Sequence, residues 1–351
     1  VPLFRPTTDA DRTTLRIMAR AAWATFTALA LPLGLLGVAA YFASRPYVLA
    51  QLSPFRVQAA TLLALHAVFC LTVRRRRWAA VFAVLACFNV WAVLRPAFPP
   101  LVTVTDTTRP PVKILFANVL TSNSDPARLL ALIAVEAPDF VALIEINRRW
   151  QTQLEPALSA TYPFSLFRPR EDNFGLAVFS RVEPAGGRVE FFADVETPSL
   201  DLTLPSGDRS IRVLVTHPLP PGDAETAALR DQHLEGLADW MRFTATLQTA
   251  GTPPVPVLIL GDFNATPWCP PLRRLLATTG LHSAARGHVV VASTWPVPIP
   301  FLRIPLDHAL LNDELACIRY RVGPDIGSDH FPLLLEVRAT APFPPTPQQT
   351  P

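Results

Sequence analysis

The sequence predicts an α+β domain, a two-sheet β-sandwich with helices on its outside, preceded by a three-helix transmembrane bundle. Three observations predict it. Long uncharged apolar stretches are confined to the first 98 residues. Between residues 112 and 338, about ten short apolar runs of strand length alternate with only a few helical patterns. Asn, Asp, Glu and His recur where those runs end, which is where a sheet exposes side chains for chemistry.

Residues 1–20 form a basic tail with Arg5, Arg12, Arg16 and Arg20, and Ala21–Ala43 then carry no charge. About 20 helical residues at 1.5 Å each cross a bilayer core, so 21–43 is long enough to span, and too long for the apolar part of a cleaved signal peptide. Two more apolar stretches, 57–73 and 78–98, flank Arg74-Arg75-Arg76-Arg77. Burying four arginines costs about 10 to 14 kcal/mol even on a lenient insertion scale, so that run is a loop between two helices. His66 and Asn89, inside the spans, read as groups that bond helix to helix. The basic tail and the Arg74–Arg77 loop lie on one side of an odd-numbered bundle, which makes that side cytoplasmic and everything after the third span extracytoplasmic.

A Pro- and Thr-rich linker, 99–111, leads into the domain at 112–338. Strands are expected at 113–119, 140–146, 174–180, 188–192, 200–204, 211–216, 257–260, 307–311, 318–322 and 332–337. Ser124-Asp125-Pro126 opens one helix, and 223–247 reads as the one long amphipathic helix. The tail 339–351, rich in Pro, Thr and Gln, is expected to be disordered.

Charge is divided as unevenly as hydropathy. Residues 1–110 hold 12 Arg against 3 Asp, a net +9, while 111–351 hold 19 Lys and Arg against 25 Asp and Glu, a net −6. The acidic domain argues against sequence-independent nucleic-acid binding, which depends on neutralising phosphates. Four cysteines are too few for a disulfide scaffold, and sequence separation leaves a Cys269–Cys317 pair open.

Gly261-Asp262-Phe263-Asn264 follows the apolar run 255–260 directly. Taken alone it reads as a strand-ending turn. Its recurrence in kind changes that reading. Asn118 (Phe-Ala-Asn-Val), Glu145 (Leu-Ile-Glu-Ile), His217 (Val-Thr-His-Pro), Asp307 (Pro-Leu-Asp-His) and Asp329-His330 (Gly-Ser-Asp-His) also stand at strand ends. His308 belongs on the face opposite Asp307. His233, His282 and His288 read as surface residues.

This order of motifs resembles the endonuclease/exonuclease/phosphatase superfamily, the fold shared by DNase I-like nucleases, neutral sphingomyelinases and inositol polyphosphate 5-phosphatases. The likeness covers residues 112 to about 338. With three preceding spans, the chain also resembles the membrane-tethered bacterial branch that includes teicoplanin- and vancomycin-resistance-type proteins, which implies a multi-pass protein of the bacterial cytoplasmic membrane.

Phosphoester hydrolysis needs a hard cation, an activated water and donors for phosphate oxygens. Mg²⁺, or Mn²⁺ in its place, is the expected cofactor, with Glu145, Asn118, Asp329 and Asp262 as candidate ligands. Asp307 and His330 would form an acid–base pair in which the ring takes a proton from water. Asp262 and Asn264 would position the nucleophile and phosphate, with Asn118 also meeting substrate. By the resemblance, His217 would stabilise phosphoryl oxygens or the leaving group. Many nucleases of this fold place an acidic residue soon after the first-strand Asn, where this chain has Val119-Leu120-Thr121-Ser122-Asn123, with Asn123 the nearest substitute. The expected substrate is a phosphate-bearing small molecule or lipid met at the membrane, and no protein partner is implied. An isoprenoid carrier diphosphate is the first choice by the resemblance, and the alternatives are a tethered extracellular endonuclease and an inactive membrane adaptor.

Overall fold

The structure, a computed structural model, describes residues 9–42, 47–97, 110–207, 209–246 and 254–340. The linker up to 109 and the tail from 341 lie outside the described residues. The chain divides into two compact units, 1–95 and 96–351.

The first unit is helical: α1 (Asp9–Phe42), α2 (Tyr47–Leu52), a single 3-10 turn at Ser53–Phe55, α3 (Arg56–Thr72) and α4 (Arg76–Leu94). Three stretches, Ile17–Phe42, Leu49–Thr72 and Arg76–Leu94, are long and apolar enough to cross a membrane. Helix α1 starts inside the expected tail, and the second stretch starts before residue 57, because α2 and the 3-10 turn, opened by Pro54, lead straight into α3. Leu63, Cys70, Phe82 and Leu85 make the bundle core. Its polar groups join helices: His66 bonds Thr27 at 3.1 Å, and Arg56 donates to Asn89 Oδ1 at 3.1 Å.

The second unit is a four-layered sandwich. One sheet is built from β1 (Val112–Asn118), β2 (Phe140–Ile144), β3 (Phe164–Arg168), β4 (Leu176–Ser180), β11 (Leu315–Val322) and β12 (Leu333–Ala339), in the order β11-β12-β1-β2-β4-β3. The other holds β5 (Ala185–Glu190), β6 (Ser199–Ser206), β7 (Arg209–Thr216), β8 (Val257–Asp262), β9 (His282–Ser283) and β10 (Asp307–Leu311), in the order β5-β6-β7-β8-β10-β9. Helices α5 (Ala127–Glu136) and α6 (Arg148–Leu158) cover the first sheet, and α7 (Ala224–Thr246) and α8 (Pro270–Thr279) cover the second. This is the expected α+β, DNase I-like sandwich. Strands β3 and β9 and helices α6 and α8 extend the expected set. Strand β3 is a half-buried edge without a continuous apolar run. Helix α6 is mostly polar, and the Asn147 side chain caps it by accepting from Trp150 N.

Each sheet is centred on one parallel pair joined by a crossover helix, β1–α5–β2 and β7–α7–β8. Their strands are buried on both faces, which is why they read as unbroken apolar runs. Period 2 sorts the residues: Ile114, Phe116, Leu258 and Leu260 face the other sheet, while Leu115, Ala117, Val257 and Ile259 face the helices. Continuing that alternation puts Asn118 and Asp262 on the inter-sheet side at the C-terminal ends of their strands. Gly261 makes the closeness of β7 and β8 possible, since a Cβ there would stand 2.3 Å from Thr216 O.

Cys269 and Cys317 are both free thiols and do not pair.

Candidate active site

In the second sheet, Asp307 at the start of β10 is the direct register partner of Asp262 at the end of β8. Both are buried, at 1% and 2% exposure, so two carboxylates face each other in a low-dielectric site, an arrangement that repels unless a cation intervenes. His330 supplies that cation. Its Nδ1–H donates to Asp307 Oδ2 at 2.8 Å, and its Nε2 lies 3.6 Å from Asp262 Oδ2. Burial alone would lower the pKa of His330, but Asp307, Asp262 and Asp329 outweigh it and hold the ring up at about 10. These three carboxylates favour the charged form of the ring, which suits it to giving a proton as well as to the expected role of taking one from water.

His217, one residue past β7, brings its Nε2 within 3.8 Å of the same Asp262 oxygen, and Phe174 packs against its ring at 5.1 Å. Burial keeps His217 below the usual imidazole range, with Asp262 opposing that shift. Asp262 itself is raised by burial, against the pull of His330. Its Oδ1 accepts the N–H of Asn264 at 2.9 Å. Asn264 turns the chain with φ +48°, donates its side-chain amide to Pro218 O at 3.0 Å, and is braced by Arg230, which donates to its carbonyl at 2.7 Å.

The first sheet contributes differently. Glu145 lies one residue beyond β2 with φ +65°. Asn118 Nδ2 donates to its Oε1 at 2.8 Å and Thr121 N to its Oε2 at 3.0 Å, while Thr121 Oγ1 donates to its carbonyl at 3.0 Å. The other side of the Asn118 amide accepts Leu120 N at 3.0 Å, so this side chain is tied both to Glu145 and to the loop after β1. Burial raises the pKa of Glu145 despite those two donors, and Asp329 adds to the rise. Asn123, the nearest substitute for the missing acidic residue, accepts Asp125 N through its Oδ1 within its own loop, while its buried Nδ2 has no hydrogen-bond partner.

Asp329 and His330 do not end a strand. They lie in the loop before β12, which reaches the same end of the sandwich because β12 runs antiparallel to β1. Trp295 Nε1 donates to Asp329 Oδ2 at 3.0 Å, and Ser328 Oγ accepts His330 N at 3.1 Å. The Thr294 hydroxyl accepts the N–H groups of Leu306 and Asp307, both at 3.3 Å. Thr121, Thr294 and Trp295 escape the sequence reading because they act from loops. Their only local signal is a position within a few residues of a turn.

His308 points away from Asp307, as period 2 requires, and donates Nε2–H to Ala265 O at 2.8 Å. His233 is not a surface residue: it is fully buried, its Nε2 2.7 Å from Thr216 Oγ1, which is in turn 2.7 Å from Ser199 Oγ. Sequence misplaced it because one face of α7 is turned into the sheet.

The donor set fits a hard divalent cation. Glu145, Asp262, Asp307 and Asp329 place four carboxylates around one imidazolium, and among the described residues none of them has a Lys or Arg partner. Asp307 Oδ1 and Asp329 Oδ1 are buried oxygens without a hydrogen-bond partner, the hard-donor chemistry such ions take. Asp262, Asp307 and His330 are also close enough together to hold a metal.

Two sheets with twin parallel cores, and carboxylates and imidazoles gathered at one end, define a DNase I-like phosphoesterase fold. The chain belongs to the Endonuclease/Exonuclease/phosphatase family, whose sequence pattern matches residues 115–330. Members of this family are phosphoester hydrolases. Solved structures with the same fold include ANGEL2, a 2′,3′-cyclic phosphatase in complex with adenosine-2′,3′-vanadate (15% identity, 66% of this chain and 97% of that one, TM-score 0.53). A family protein from Bacteroides thetaiotaomicron (15%, 66% and 96%, TM-score 0.52) and D. rerio TDP2 complexed with a single-strand DNA product (14%, 67% and 100%, TM-score 0.52) are similar to the same extent. No curated protein matches the chain by sequence.

Proposed function

We infer that this chain is a membrane-anchored, metal-dependent phosphohydrolase acting outside the cytoplasm on a phosphoester or diphosphate carried by a lipid. One observation carries the reading. An imidazolium bridging two opposed carboxylates meets a third buried carboxylate held only by neutral donors, in a chain with three helices able to cross a membrane.

Glu145, with Asp329 nearby, would hold Mg²⁺ or Mn²⁺, and Asn118 and Thr121 would fix the carboxylate that binds it. A cation there supplies charge neutralisation for phosphate oxygens and acidifies bound water. Asp262 is suited to take the proton of the attacking water: burial raises its basicity, and Asn264 N–H fixes one of its oxygens. His330, oriented through Nδ1 by Asp307, would donate from Nε2 to a phosphoryl or leaving-group oxygen. Neutral His217 would hold a second phosphoryl oxygen. A polyanionic duplex is repelled at long range by a domain of net charge −6, whereas a lipid phosphate arrives by diffusion in two dimensions.

The test compares kcat/KM of the full-length protein with Mg²⁺ in mixed micelles, at equal ionic strength, for a lipid diphosphate, a phosphodiester lipid and DNA. Fastest turnover of a lipid is the expected result. DNA cut faster than either lipid, with a rate falling steeply as salt rises, replaces this reading with a tethered nuclease, and no turnover of any substrate replaces it with an adaptor. For topology, a phosphatase reporter fused after Pro111 is expected to be active and one fused at Arg76 inactive.

A further inference from the structure

Between Thr294 and Asp307 the chain leaves the sandwich as a narrow loop closed by a bridge between Trp295 and Ile304. Its tip is apolar and exposed: Ile299 at 38%, Phe301 at 74% and Leu302 at 36%, with Pro298 and Pro300 among them. No Asp, Glu, Lys or Arg occurs between Arg286 and Arg303. Large exposed apolar residues elsewhere in this unit, such as Val135, Phe191 and Phe243, stand apart along the chain, whereas these three share one turn.

The root of the loop is tied to the candidate site. Trp295 Nε1 donates to Asp329 Oδ2 and Val297 N to Asp329 O at 2.9 Å, and the Trp295 ring lies 6.4 Å from that of His330. Arg303 closes the stem, donating to Val297 O at 2.6 Å with its guanidinium over the Phe331 ring at 4.8 Å.

The backbone is prepared to leave water. Pro296, Pro298 and Pro300 have no N–H to satisfy. The N–H groups of Trp295, Val297, Ile299, Leu302, Arg303 and Ile304 all donate within the protein. With six of its seven N–H groups bonded in this way, the loop would strand few donors on entering an apolar phase, which eases the condition that bars ordinary loops from a bilayer. The stretch 95–111 between the last spanning helix and β1 reaches at most about 60 Å, which keeps the domain close to a membrane that the helices cross.

We propose that the tip formed by Ile299, Phe301 and Leu302 inserts into the acyl region of the lipid leaflet and presents a lipid-borne phosphate to Asp329 and His330. Insertion needs only a bilayer, and the presenting role rests on the lipid-substrate reading above. The test uses full-length protein in phospholipid vesicles, with Cys87 and Cys317 replaced by Ser and a fluorophore on Phe301→Cys or, as control, Val135→Cys. The Phe301→Cys probe is expected to be quenched at least threefold more by bromine-labelled acyl chains than by aqueous iodide, and the Val135→Cys probe the reverse. Preferential iodide quenching at position 301 overturns insertion. In the combined variant Ile299→Ser, Phe301→Ser, Leu302→Ser, the ratio of kcat/KM for the lipid substrate to that for a soluble aryl phosphodiester is expected to fall at least tenfold. An unchanged ratio overturns the presenting role. Acyl-chain quenching without lipid turnover by the parent protein refutes the lipid-substrate reading and leaves insertion standing, whereas lipid turnover with iodide quenching does the opposite.

Discussion

The two sheets of the catalytic unit share a plan and differ in what they do with a buried carboxylate. Each is centred on a parallel pair joined by a crossover helix, and each lifts acidic groups to the same end of the sandwich. In the second sheet, Asp262 and Asp307 stand in register with the His330 ring between them, and their charges raise its pKa. In the first, Glu145 has only the Asn118 amide and the Thr121 N–H, neutral donors that orient a charge without cancelling it. One half of the site thus has an imidazole between its carboxylates, and the other has neutral donors alone.

If that division holds, the largest effects separate metal binding from turnover. Glu145→Gln and His330→Ala are each expected to lower kcat at least about 1,000-fold, on the scale of losing a principal catalytic group. Mg²⁺ titration calorimetry is expected to show weakened binding in Glu145→Gln and affinity within about threefold of the parent in His330→Ala. Full activity in EDTA, or in either variant, breaks the comparison.

The next effect tests the proton. Asp307→Asn is expected to lower kcat about 100-fold and to bring the His330 pKa down from about 10 toward the usual imidazole range, read by ¹⁵N-histidine NMR of metal-free protein in micelles. The sign follows from the raised folded value: the charged ring stabilises the fold fully below about pH 6.5, and that contribution is lost as pH rises through about 10. A His330 titration that ignores the substitution removes Asp307 as the source of the shift.

Asn118→Ala sharpens the other half. It takes one neutral donor from Glu145, and a 10- to 100-fold loss in Mg²⁺ affinity or activity, about the size of losing a group that orients a ligand, is the expected outcome in the same calorimetry and kinetics. A change below twofold makes Asn118 dispensable.

The smallest effect lies behind the second sheet, where His233 joins Thr216 and Ser199. Burial, with repulsion from His217, lowers its pKa to about 3. The unfolded chain therefore binds a proton below about pH 6.5 that the folded one refuses, so stability falls as pH drops from there toward about 3, by about 2 kcal/mol at pH 5. Urea unfolding of full-length protein in micelles, followed by near-UV circular dichroism at pH 7 and pH 5, is expected to show a smaller pH dependence in His233→Gln than in the parent.

Much of the site was legible as positions, because side chains alternate along a strand whatever that strand packs against. Asp262 could be placed on the face of Leu258 and Leu260, and His308 opposite Asp307, from spacing alone. Roles were less legible. Asn118 and Asn264 look like groups that would meet a ligand, yet each has an amide already bonded within the protein, to Glu145 and to Pro218 O. Asn123 looked like a replacement ligand and is held by an Asx turn. Trp295 gave no sign of reaching Asp329, 34 residues away.

By itself the sequence determined the three bilayer-length stretches, since span length is set by rise per residue and Arg74–Arg77 cannot be buried. It also determined the strand cores and the family, because unbroken apolar runs and the Gly-Asp-Phe-Asn and Gly-Ser-Asp-His motifs are local. Only the tertiary structure decided that Asp262 opposes Asp307, and that the loop before β12 carries His330 between them, where their charges favour its protonated form. The reason is that periodicity is a property of one segment. The charge state of a buried group is set instead by neighbours that strand register and loop paths bring from elsewhere in the chain.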